Sequence, residues 1–97
     1  MPRFLVLSKL APEGKVKLGM HQRQADASRA AWAAVGATEE CAYYANSPDW
    51  DELGIISAPS REVLMGVLGP VIAAPTTVRV EVIELLTAGE AQDLAQW

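Results

Sequence analysis

Ninety-seven residues, 51% of them apolar, are enough for one domain with its own core and too few for a second. The formal charge of −4, with eight basic residues scattered from Arg3 to Arg79 and no basic run, excludes the clustered positive field that nucleic-acid binding requires. Cys41 is the single cysteine, which rules out an internal disulfide and fits a reducing, cytoplasmic compartment.

The first element expected is a strand over Phe4-Leu5-Val6-Leu7, apolar on both alternating faces and so covered on both. The run is shorter than the roughly 7–15 residues of a signal-peptide core. Ala11-Pro12-Glu13-Gly14 is turn chemistry. From about Met20 to Val35 the chain is rich in Ala, Gln and Arg without proline, and is predicted helical. His21, Ala25, Ser28, Trp32 and Val35 share one stripe at 3.6 residues per turn, and Gly36 follows as a terminating glycine.

A second strand is expected within Thr38 to Asn46, a turn over Asn46-Ser47-Pro48-Asp49, and a third strand over Leu53 to Ser57. Ser60 is placed to cap a second helix beginning at Arg61, with Val63, Leu64, Val67 and Leu68 on its buried side. Gly69-Pro70 is expected to break or kink that helix. The apolar stretch Val63 to Pro75 is interrupted by glycine and proline and falls short of the ~18 residues of a membrane span, so a soluble chain is expected. Thr76 to Leu86 is the clearest strand, with Val78, Val80 and Val82 alternating against Arg79, Glu81 and Ile83. Ala88 to Ala95 forms one short helix or frays.

The order β-α-β-β-α-β over residues 1–97 implies a single α+β domain of the ferredoxin-like kind, a four-stranded antiparallel sheet with two helices on one face. If Val78, Val80 and Val82 look toward the helices, Arg79, Glu81, Ile83 and Leu85 look away from them. An open face of mixed apolar and charged residues calls for a second copy. The expected assembly is a homodimer, two sheets forming a barrel with a cavity between them.

These residues carry a resemblance. The chain resembles the GYD-domain proteins, small bacterial proteins of the dimeric α/β-barrel superfamily. Phe4-Leu5-Val6-Leu7-Ser8-Lys9-Leu10 followed by Pro12-Glu13-Gly14 is similar to the family's first strand and turn, and the Ala-rich helix ending Val35-Gly36-Ala37 to its first helix. Ala42-Tyr43-Tyr44 is similar to the second strand, and Val78-Arg79-Val80-Glu81 followed by Leu86-Thr87 to the last. The departure is in the Gly-Tyr-Asp signature, where this chain has Ser47-Pro48-Asp49-Trp50-Asp51. Trp50 and Asp51 take the Tyr and Asp places, a proline turn replaces the glycine, and the tyrosine hydroxyl is lost. The resemblance implies the dimeric barrel; superfamily relatives include cofactor-free monooxygenases, muconolactone isomerase-like enzymes and stress-response dimers.

Candidate functional residues follow from the expected cavity. His21, the sole histidine, is the best neutral-pH acid-base group, and on its own it cannot build a multi-imidazole metal site. Trp32, Tyr44, Asn46 and Trp50 supply the flat apolar walls and placed polar groups that a small aromatic or enone-like compound needs, without a cofactor. Only one of Tyr43 and Tyr44 can face the cavity. Arg79 and Glu81 share a strand face about 6–7 Å apart; Arg79 would hold an anionic oxygen, and Glu81 or His21 would move a proton. Glu52 joins them if Leu53 and Ile55 face the helices. The competing reading is a non-catalytic structural or regulatory dimer with no pocket, in which Arg79 and Glu81 pair across the two-fold and His21 is exposed. Asp49 and Asp51 read as a solvated acidic turn, and Cys41, flanked by Glu40, has no basic neighbour to activate it.

Overall fold

The structure, a computed structural model, describes residues 1–12 and 21–95, with side chains described at 1–12 and 27–95. The elements in chain order are β1 (Arg3–Leu10), α1 (His21–Ala34), β2 (Thr38–Tyr44), β3 (Glu52–Ser57), α2 (Arg61–Ala73), β4 (Thr77–Leu85) and α3 (Ala88–Ala95). All four strands join one antiparallel sheet in the order β2-β3-β1-β4. This is the ferredoxin-like α+β arrangement expected from the pattern. The turn expected over Ala11–Gly14 passes outside the described residues after Pro12, and Trp97 lies outside them as well.

Register fixes which residues share a face. Phe4 lies opposite Ile56 on one side and Glu84 on the other; Val6 lies between Gly54 and Val82. Phe4, Val6 and Ile56 are buried against Trp32 of α1 and Leu64 and Leu68 of α2, together with Ala37 and Ala58. Both helices therefore cover the same sheet face. Phe4 and Leu64 are fully buried, and each such side chain contributes about 1.5–3 kcal/mol of transfer free energy.

Helix ends are set by local chemistry. Gly36, at φ +75, closes α1: its N–H donates to the Ala33 carbonyl at 3.1 Å, while Ala37 N–H reaches back to Trp32 at 2.9 Å. That pair of bonds needs a left-handed residue at Gly36 and packs Ala37 beside Trp32 in the core. Ser60 caps α2 as expected, its hydroxyl oxygen accepting from Val63 N–H at 3.2 Å. Thr87 and Glu90 form a reciprocal box at the start of α3: Glu90 N–H donates to Thr87 Oγ1 at 3.1 Å, and Thr87 N–H to Glu90 Oε1 at 3.0 Å.

Two local expectations are corrected and one is narrowed. Gly69-Pro70 does not end α2, which runs on to Ala73 with Pro70 inside it. Pro70 and Gly66, the residue whose carbonyl loses its donor, are both exposed, so water can serve that carbonyl. The α1 stripe narrows to Trp32: Ser28 and Val35 are exposed, because α1 docks through its last turn alone among its described side chains. Val78 does not join Val80 and Val82 against the helices. It sits where the β1–β4 register shifts between Arg79 and Thr77, and it is exposed.

Candidate functional site on the open sheet face

The face away from the helices is built in rows across the sheet. Cys41, Ile55, Leu5 and Ile83 form the middle row, one residue from each strand. Tyr43, Leu53, Leu7 and Glu81 form the next, and Lys9 and Arg79 stand opposite each other beyond it. At the other end Arg3 lies between Ser57 and Leu85. Its Nε contacts Glu40 Oε2 at 2.7 Å, across the bulge between Glu39 and Cys41. That ion pair is exposed and worth about 0–1 kcal/mol, so its effect is to neutralise this end of the face. Leu5, Leu7, Leu53, Ile55 and Leu85 are half-buried, and Ile83 and Tyr43 are exposed.

The β2–β3 loop, residues 45–51, closes one end of this face. Asp51 N–H donates to the Ser8 carbonyl at 2.9 Å, and Ala45 N–H to the Asp51 carbonyl at 2.9 Å. Asp51 Oδ2 accepts from Leu10 N–H at 2.7 Å, so the carboxylate bridges the loop to the last residue of β1. Asp51 is therefore a structural clasp, where the sequence indicated a solvated acidic turn. Lys9 Nζ donates to the Pro48 carbonyl. Held at both ends, the loop lays Trp50 beside β4, and the Arg79 guanidinium carbon sits 4.3 Å from its ring centroid.

The expected site residues divide between the two faces. Trp50 and Arg79 are in contact, and Glu81 occupies the next row of the same face. Trp32 is elsewhere: it is buried under α1 against Phe4 and Leu64, because the apolar side of the helix must face the sheet. Of the two tyrosines it is Tyr43 that takes the open face, opposite Leu53, while Tyr44 lies opposite Glu52 on the helix side. Leu53 and Ile55 look away from the helices, so Glu52 does not join Arg79 and Glu81. Partial desolvation, then the charge of Glu52, pushes the Tyr44 hydroxyl above its ordinary value and keeps it neutral. Asn46 is exposed in the loop, and the side chain of His21 lies outside the described residues.

Lys9 and the leucines of β1 and β3 were absent from the expected site, which took Tyr44 where the structure has Tyr43. The signal for Lys9 was present: with Phe4 inward, alternation places Leu5, Leu7 and Lys9 together on the opposite face. Among the described residues no group of three or more His, Cys, Asp or Glu side chains could hold a metal ion, and no helix is long and apolar enough to cross a membrane. No protein-family model matches this chain, and no curated protein matches it significantly.

Proposed function

We propose that this chain acts as a homodimer joined through its open sheet faces, with a small organic molecule held between the two sheets near Trp50 and Arg79. The observation that carries this reading is the open face itself. Its middle row is apolar, its Arg3 end is neutralised by Glu40, and its other end carries a clasped tryptophan beside charged groups. A contiguous apolar surface of this kind marks an interaction site. A small domain gains its missing burial by association, and β2 and β4, the edge strands of the sheet among the described residues, have backbone groups that a partner sheet can take up. The resemblance to GYD-domain proteins points to the same dimeric barrel. Within it Trp50 supplies a flat wall, Arg79 and Glu81 supply polar contacts, and Glu81 is the group available to move a proton.

Native mass spectrometry of the purified chain tests the assembly. A dimer is expected, and a dimer carrying a few hundred extra daltons identifies the ligand class; a monomer at micromolar concentration sinks the reading. Arg79→Ala then separates binding from architecture. The variant is expected to stay dimeric and lose ligand. Loss of the dimer instead would favour a purely structural assembly.

A further inference from the structure

We propose that Lys9 and Arg79, beside Trp50, form the binding site for the carboxylate of a small aromatic acid. This rests on the dimer reading, because the partner sheet supplies the far wall. Lys9 and Arg79 are directly opposed across β1 and β4, and like charges so placed repel. In a chain of net charge −4, acidic side chains are plentiful. Yet among the described residues neither cation has a carboxylate within ion-pair distance. Their partners are neutral and electron-rich: the Pro48 carbonyl for Lys9 and the Trp50 ring for Arg79. The clasped loop therefore orients both cations without cancelling their charge. It leaves the guanidinium fork free to bind a carboxylate in the two-bonded manner that suits Arg.

The next row determines what the rest of the ligand must be. Leu7 and Leu53 lie one step inward, with Tyr43 at the β2 side, so an apolar ring can lie on them while its carboxylate reaches the cations. Glu81 lies in the same row next to Arg79, and the Asp51 carboxylate is bound to Leu10 N–H beside Lys9. The two cations thus sit among two acidic groups, and the site carries no large excess of positive charge. That balance disfavours a phosphate dianion more than a singly charged carboxylate. Trp50 offers its ring for edge or face contact with an aromatic body.

The test uses 2-naphthoate as probe and its neutral amide, 2-naphthamide, as control, titrated into the intact protein and followed by amide and indole NMR shifts. Oligomeric state is measured on the same samples by sedimentation equilibrium. Naphthoate is expected to shift the Trp50, Lys9 and Arg79 signals and to bind about tenfold or more tightly than the amide. Lys9→Gln and Arg79→Gln should each remove most of that preference. Equal binding of the two compounds, no binding of either, or naphthoate binding unchanged in both variants overturns the anion site in a dimer or a monomer alike. A monomer that retains the naphthoate preference keeps the anion site and overturns the dimer. Phosphate displacing naphthoate as effectively as benzoate does would overturn the assignment to a carboxylate.

Discussion

Two single residues hold the site in place from a distance. Gly36 occupies φ +75, where a side chain costs about 1–2 kcal/mol, and it directs the chain from α1 into β2. Gly36→Ala is expected to destabilise the fold by about that amount in urea denaturation, without changing the surface of the open face. Asp51 acts closer by, joining the loop to Leu10 through a half-buried, charge-assisted bond. Asp51→Ala should cost about 1.5–3 kcal/mol. It should also free Trp50 from its position over Arg79, read as a shift of the Trp50 indole resonance toward its solvated value. A variant whose indole signal stays put would show that Lys9 and the backbone bonds hold the loop alone. The Gly36 role was legible, since glycine directly after the last apolar residue of a helix has few other uses. The Asp51 role was not, because its partner stands 41 positions away and nothing local marks it.

At the scale of elements, strand order and helix placement followed from alternating and helical patterns, and the structure agrees. What the pattern could not settle was parity in β2 and β3. Tyr43 and Tyr44 are chemically equivalent to a pattern reader, and Leu53-Gly54-Ile55-Ile56 is apolar throughout. The choice was made by pairing with β1, whose Phe4 and Val6 had already turned inward. Trp32 shows the same limit, since a tryptophan on a helix stripe fits a core as well as a cavity. Of the two outcomes expected at Gly69-Pro70, a break does not occur in α2, where an exposed site near the helix end tolerates Pro70. Pro70→Ala restores a backbone donor and should raise stability by up to about 3 kcal/mol, measured by thermal or urea unfolding. The capping box of α3 gives a pH signature. Hydrogen bonds from Thr87 hold the Glu90 carboxyl below its ordinary value. The stabilisation it gives is present above the unfolded carboxyl pKa and is lost as pH falls through the lower, folded one. Amide shifts of Ala88 to Ala95 should report fraying of α3 in that acid range, and Thr87→Ala should fray it at neutral pH.

For the whole molecule the decisive quantity is concentration. If the open faces pair, apparent stability must rise with protein concentration, because dilution favours the monomer that unfolds. A melting temperature that climbs by several degrees over a hundredfold concentration range is the expected result; an invariant one contradicts association. The edge strand β4 carries a separate consequence for the chain before it is paired. Thr77–Leu85 is nine residues of strong strand formers with one backbone edge that no described strand covers, and only Arg79, Glu81 and Glu84 interrupt its aliphatic run. Those charges act as gatekeepers against amyloid-type stacking. Glu81→Val leaves the aliphatic run from Val80 to Ile83 unbroken, and that variant should form thioflavin-positive fibrils on mild heating while the parent chain stays in solution.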